Sequence, residues 1–309
     1  MLPDFSVCAG KDSPLPGHRN QHVLRAHFPE FQRVGNHFLP LFQLHAENFS
    51  QLVIVGLHKE GLVVQGLFEQ VAGRIHYEAV MTLSKRYPAC AATTIMDLTT
   101  EAEAFGAEVA FSDNAVPAVK GRRLTCAADI DSLQVPSLSE GRIPAYLKAN
   151  LLTARAISDR PVLGGCIGPF SLAGRLYGMS EIMVLIYEEA DAARRLLQKC
   201  TDFIGKYCEA LKRTGVNGVV MAEPAAGLLS DDDCLRFSSL YVRQVVQRVQ
   251  DEEFIIVLHN CGNTGHCTHA MVATGAAAFH FGNKCRMEEV LRDVPPTALA
   301  MGNIDPVSV

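Results

Sequence analysis

Six short runs, AATTIM (91–96), VLGGCI (162–167), NGVVMA (217–222), FIIVLH (254–259), AAFHF (277–281) and TALAM (297–301), are apolar almost throughout and are separated by stretches long enough to hold helices. A strand with one wet face alternates apolar and polar residues. Runs without alternation are buried on both faces, as strands of a parallel sheet covered by helices are. From about residue 67 onward the chain is therefore expected to be α/β, strands and helices taking turns. At 309 residues, 48% hydrophobic and 20% charged, it has the apolar content to bury a large core.

The intervals carry helical signals. The stretch 181–213 is expected to be one helix, capped by Ser180 and ended by the turn chemistry of TGVNG. Ser230 followed by Asp231, Asp232 and Asp233 is expected to be a capped helix start, its acids near the positive end of the helix dipole and solvated.

Charge and cysteine usage narrow the function classes. Lys plus Arg number 28 and Asp plus Glu 33, a net charge of −5, with no basic block to track a phosphate backbone, so no nucleic-acid partner is expected. No leader-like N-terminus and no apolar run of membrane-spanning length is visible, so the expectation is a cytoplasmic protein with no membrane partner. The 10 cysteines lie scattered through the strands and helices of a long chain, the usage of a reducing compartment.

Strand–helix repeats of this kind build a doubly wound sheet or a (β/α) barrel. No Gly-x-Gly-x-x-Gly comes after any of the runs, which weighs against a dinucleotide fold. The residues at and just beyond their ends are polar instead: Asp97, Glu223, His259 with Cys261, His280, and Asn303 with Asp305. Reactive side chains at the C-terminal ends of successive strands are the layout of a barrel active site. Residues i and i+2 of a strand face the same way, so His259 and Cys261 can point together into a barrel mouth, and imidazole with thiolate is a donor pair suited to Zn²⁺. The pattern alone also suits a packed thiol beside a hydrogen-bonded strand-end histidine.

Five segments, MDLTTEAEAFGAEVAFSDNAVP (96–117), GPFSLAGRLYG (168–178), AEPAAGLLS (222–230), HNCGN (259–263) and GNIDP (302–306), together resemble the uroporphyrinogen decarboxylase superfamily, and within it the methylcobalamin:coenzyme M methyltransferase branch. The resemblance covers about residues 67–309 and implies a TIM-type (β/α)₈ barrel. In the methyltransferases the H-x-C-G element supplies two zinc ligands and a later cysteine the third. The match carries over to His259 and Cys261. The chain reaches Val309 without that later cysteine, so the expectation is a barrel lacking its last strand–helix unit, with Cys285 and Cys267 the nearest substitute thiols.

The resemblance implies a zinc-dependent transfer of a methyl group from a methyl-corrinoid, either methylcobalamin or a corrinoid protein, to a small thiol. Asp97 and Glu223 are then the catalytic candidates, Glu223 as a displaceable further ligand or as a carboxylate orienting one. His280, Asn303 and Asp305 are the cofactor-binding candidates. Two alternatives stand beside it. One is a decarboxylase acting on a tetrapyrrole, for which Asp97 aligns with the aspartate that holds pyrrole N–H groups. Against it, the Arg-Gln-Ala-Gly-Arg segment is absent and Arg175 stands where a tyrosine would come after the GPF motif. The other is a barrel that binds without turnover. Asp97 also has a plain reading, as a cap for the helix just beyond it.

Residues 1–66 form a separate, atypical segment. They hold histidines 18, 22, 27, 37, 45 and 58, and FLPLFQL (38–44) or QLVIVGL (51–57) is the candidate for a makeshift first strand.

Overall fold

The computed structural model describes residues 61–305 except 88, 113 and 114, with side chains from residue 71. The two makeshift strands and the six N-terminal histidines lie outside the described residues. Helix α1 (Gly61–Arg86) leads into β1 (Ala92–Thr93) and α2 (Thr100–Ala104), then a hairpin of β2 (Val109–Ser112) and β3 (Ala115–Val119), α3 (Ala127–Ser132) and α4 (Ile143–Ala156). Next come β4 (Val162–Ile167), α5 (Pro169–Tyr177), α6 (Met179–Glu188), α7 (Ala190–Arg213) and β5 (Gly218–Ala222). A 3₁₀ turn (Pro224–Leu228) precedes α8 (Asp231–Cys234), which runs through a π turn (Leu235–Ser239) into α9 (Leu240–Val249). The chain continues with β6 (Ile255–Asn260), α10 (Thr268–Val272), β7 (Ala278–Phe281), α11 (Met287–Asp293) and β8 (Leu299–Met301).

Each of the six apolar runs contains a strand, and the six form one parallel sheet in the order β1-β4-β5-β6-β7-β8. Sequential parallel order with helical crossovers is barrel topology, and the described residues build a six-stranded part of it. They do not build the eight-stranded closure that the resemblance implies: β1 and β8 are edges among the described residues.

Alternation divides the faces of the sheet. Val219, Met221, Ile256, Leu258, Phe279 and Phe281 join the large core beneath the helices. Leu163, Val220, Ile255, Val257, Ala278 and Met301 form a smaller cluster on the other face. The helix layer is thick because α7 turns a continuous stripe inward: Leu196, Leu197, Cys200, Phe203, Ile204, Tyr207 and Leu211 are all buried. Each fully buried Leu, Ile or Phe in such a stripe contributes about 1.5–3 kcal/mol.

Two expectations about helices fare differently. Ser230 caps α8 as its sequence predicts, its side chain accepting from the Asp233 N–H. The single helix over 181–213 is two. Glu189, at φ −134° and ψ 57°, breaks it, and α6 starts at Gly178, whose φ of 106° suits only glycine, so Ser180 sits inside the first turn and is not the cap. The break lets α6 bury Ile182, Leu185 and Ile186 while α7 departs along the core.

Strand β1 is two residues long: the Thr94 N–H still donates to the Leu163 carbonyl at 2.9 Å, and side chains carry on the pairing from there. Beyond it the Ile167 N–H donates to Glu101 Oε1 at 2.9 Å, and the Ile95 N–H donates to His76 Nε2 at 2.7 Å. Asn217 does the same at the start of β4, accepting from the Val162 N–H at 2.9 Å.

Candidate active site at the strand ends

Strand register places the predicted residues. Ala222 of β5, His259 of β6, His280 of β7 and Met301 of β8 stand opposite one another in a row across the sheet. This row continues the face of Val257, Ala278 and Met301, away from the helices. The structure therefore brings His259 and His280 together: their Nδ1 atoms are 2.6 Å apart and their ring centroids 4.7 Å. Burial lowers the pKa of both, and for His259 the neighbouring His280 lowers it further, so both rings are neutral at neutral pH.

Cys261 lies two residues after His259 and its thiol is exposed. The turn that presents it is built by residues outside the predicted site. Asn260 Oδ1 accepts from the N–H groups of Gly262 and Asn263 at 3.1 and 3.0 Å. Asn263, fully buried, accepts through Oδ1 from Gly265 and Cys267 at 2.8 and 3.0 Å. From the far side, a Cβ on Gly227 would lie 2.2 Å from the Gly262 carbonyl carbon and 2.6 Å from the Asn263 nitrogen, so two glycines meet backbone to backbone. A Cβ on Gly282 would lie 2.9 Å from Cys261 Cα. Of the two substitute thiols, Cys285 donates to the Asn263 carbonyl at 2.8 Å and Cys267 is buried against Leu229 O at 3.4 Å.

Glu223 lies elsewhere. Ala222 occupies the row of His259, so the next side chain turns to the helix side, where Oε1 accepts from the Ser171 N–H at 2.7 Å at the start of α5. Its Oε2 is buried without a partner, and a Cβ on Gly168 would lie 1.5 Å from it. Burial pushes its pKa up to about 8 against the opposing N–H groups of Ser171 and Phe170. Glu101, also buried with an unpartnered Oε2, is pushed up to about 7 by burial.

Asp97 is enclosed. Its Oδ1 accepts from the Thr99 N–H and hydroxyl at 2.8 Å each, and Oδ2 pairs with Arg142. Arg142 also reaches Glu103 at 2.6 Å and Thr99 Oγ1 at 2.7 Å, with 4% of its side chain exposed. Burial opposes the guanidinium charge, but Asp97 and Glu103 outweigh it and hold the pKa above its ordinary value. The carboxylate thus closes a turn onto Thr99, the residue that precedes α2, without capping a helical N–H itself, while sharing a buried cation.

Asn303 spends its amide on main-chain carbonyls, donating to Gly282 O at 3.1 Å and Cys285 O at 2.5 Å, and so stitches the end of β8 to the loop after β7. Asp305 is half-buried just beyond.

A pH dependence arises from the two glutamates. An unfolded Glu has lost its proton by pH 6.5, whereas folded Glu101 and Glu223 still hold theirs up to about 7 and 8, so unfolding releases protons and stability falls as pH rises through this window. His76, lowered to about 4 by burial, acts in the opposite sense near pH 6.5, where the unfolded imidazole still binds protons, and it cancels between two proteins that both carry it. Between pH 6.5 and 8, wild type is expected to lose on the order of 2 kcal/mol relative to a Glu101→Gln/Glu223→Gln variant. Parallel denaturation midpoints for the two proteins across that range would contradict this.

These features define a class: a partial (β/α) barrel with imidazole, thiol and amide groups gathered at the C-terminal ends of its strands. The chain belongs to the uroporphyrinogen decarboxylase (URO-D) family, whose model matches residues 73–309. Methylcobamide:CoM methyltransferase MtbA of Methanosarcina mazei is 31% identical over 217 residues, 69% of this chain and 63% of that protein. A uroporphyrinogen decarboxylase of Legionella pneumophila is 27% identical over 236 residues, covering 74% of this chain and 67% of the relative. The chain thus spans about 63% of the length of the MtbA relative. A solved methyltransferase from Methanosarcina mazei shares the fold with a TM-score of 0.69 at 23% identity, covering 77% of this chain and 71% of that one. None of the described helices is long and apolar enough to cross a membrane.

Proposed function

We propose that this chain is a zinc-dependent methyltransferase that moves a methyl group from a methyl-corrinoid, free or carried by a protein, to a small thiol. The observation that carries the reading is that His259 lies at the end of β6 on the face away from the helices and is followed two residues later by an exposed Cys261, in the turn that leaves the strand. A neutral imidazole and an exposed thiol are donors of the kind zinc takes. The methyltransferase relative at 31% identity supports the chemistry. Among the described residues no third His, Cys, Asp or Glu joins the pair into a group that could hold a metal ion.

His259 and Cys261 would hold the metal, and the chemistry it supplies when bound is to keep a substrate thiol deprotonated at neutral pH. The remaining residues position and enclose. Asn260 and Asn263 fix the turn on which Cys261 sits, and Asn303 ties the next loop beneath it. Glu223 acts from the helix side by anchoring the start of α5. Asp97, through Arg142, holds the β1–α2 turn at the far side of the sheet. Asn303, Asp305 and His280 are the groups proposed to border the corrinoid.

The test is paired. Purified chain should carry zinc, and His259→Ala and Cys261→Ala should each lower the content. With methylcobalamin and a simple thiol, the visible spectrum should report demethylation that Cys261→Ala reduces on the order of a hundredfold. Equal zinc in all three proteins, or full turnover in the Cys261 variant, would remove the reading.

A further inference from the structure

Helices α1 and α4 pack along each other in the helix layer, and Gly73 sets how closely. A Cβ at that position would lie 2.8 Å from Lys148 Cβ and 2.9 Å from the Ala145 carbonyl oxygen, so the main chain of α1 rests directly on α4. Along the seam runs a groove of about 600 Å³ walled by Arg74 and Tyr77 from α1 and by Lys148, Leu152, Arg155 and Ala156 from α4. Helical spacing puts these side chains together: 148, 152 and 155 are four and three residues apart on one face of α4, and 74 and 77 are three apart on α1.

Charge in the groove is one-sided. Three of its six lining residues are cations and none is an acid, in a chain whose net charge is −5. Arg74 is tied to Glu78 at 3.4 Å, whereas Lys148 and Arg155 make no ion pair or hydrogen bond with any described residue. A concave site lined by one sign of charge focuses its field and draws in counter-ions. The volume is that of a small-molecule site and exceeds what one inorganic ion fills. Tyr77 and Leu152 add an aromatic and an aliphatic surface between the cations. Because α4 ends shortly before β4 begins, Arg155 lies toward the N-terminal ends of the strands, away from His259 and His280. The groove is therefore separate from the candidate active site and independent of the zinc reading.

We propose that this groove binds a small molecule carrying two adjacent anionic groups, as a diphosphate does, on an aromatic or apolar body. Arg155 takes an anionic group through its planar fork and Lys148 takes one as a point charge, while the body lies against Tyr77 and Leu152. Bound across the seam, the ligand ties α1 to α4.

Titration calorimetry on the full-length chain with two probes, ADP and inorganic pyrophosphate, tests this. Both should bind at low salt, ADP more tightly, and both should weaken as salt is raised. Lys148→Glu/Arg155→Glu should weaken each probe about 10–100-fold. Lys206→Glu/Arg292→Glu, the same charge change at exposed positions of α7 and α11, should leave both unchanged. Tyr77→Ala should weaken ADP alone. If the doubly acidic groove variant does not fold, Lys148→Gln/Arg155→Gln takes its place. Absence of binding by both probes at millimolar concentration overturns the proposal, as does equal affinity in the groove and control variants. ADP that binds no tighter than pyrophosphate and ignores Tyr77→Ala overturns the aromatic or apolar body. Sedimentation with anionic phospholipid vesicles that the groove substitutions abolish, while neither soluble probe binds, would make the groove a membrane-facing surface and overturn it too.

Discussion

Arg142→Ala should destabilise the fold by about 3–5 kcal/mol, because it strands buried acidic partners without their cation. Asp97 and Glu103 expose 7% and 14% of their side chains, and the Thr99 hydroxyl loses a donor as well. Arg142→Lys should recover only part of the loss, since one ammonium cannot reproduce contacts made from Nε, Nη1 and Nη2. Urea denaturation at neutral pH measures both. An alanine variant with a wild-type midpoint would mean that water reaches the carboxylates and that the pair is not structural.

The second large effect is expected at Gly227→Ala. The added methyl would sit 2.2 to 2.6 Å from main-chain atoms of Gly262 and Asn263, and no rotamer change relieves a clash with backbone. Overpacking of this kind typically destabilises by about 1–3 kcal/mol, and contact with backbone places this variant at the upper end or beyond. It should also shift the turn carrying Cys261, so under the proposed zinc reading metal content should fall with stability. Gly265→Ala is the contrasting control: nothing lies within 4 Å of its Cβ, although its φ of 117° strains the backbone. A wild-type midpoint for Gly227→Ala would mean that the turn shifts to accept the methyl group and that the glycine contact is not structural.

The sheet was legible in the sequence because strands buried on both faces leave uninterrupted apolar runs, and all six such runs hold strands of the sheet. Strand ends were less so. AATTIM pairs only at Ala92 and Thr93: the Thr94 N–H still donates to the Leu163 carbonyl, but the Ile95 and Ile167 amides are taken by side chains that no periodicity announces. The helix break at Glu189 has no glycine or proline to mark it. At the site, His259 and His280 were recognisable as strand-end residues, whereas Cys261 lies in the turn beyond β6, where the strand period of two no longer fixes the direction of a side chain. That His280 touches His259 depends on register between strands, which a single sequence does not encode locally. The same limit hid Arg142, 45 residues from Asp97, and hid the fact that Glu223 faces α5. Asn260 and Asn263 did carry a signal, as asparagines flanking a Cys-Gly turn, but turn-building asparagines are common enough for it to pass unread.

The seam at β1 has a kinetic meaning. Where strands pair, an amide hydrogen reaches solvent only when the sheet separates, and separating this sheet means uncovering its core. The half-buried Ile95 amide is held by an imidazole, a group that swings aside about single bonds, whereas Ile167 and the Glu101 carboxyl it meets are both buried. Exchange at Ile95 is therefore expected to need less than global unfolding, while Val220 and Leu258 in the paired strands β5 and β6 are expected to exchange only with it. Built this way, the β1 margin can breathe on a fast timescale without loosening the strands that carry His259 and His280.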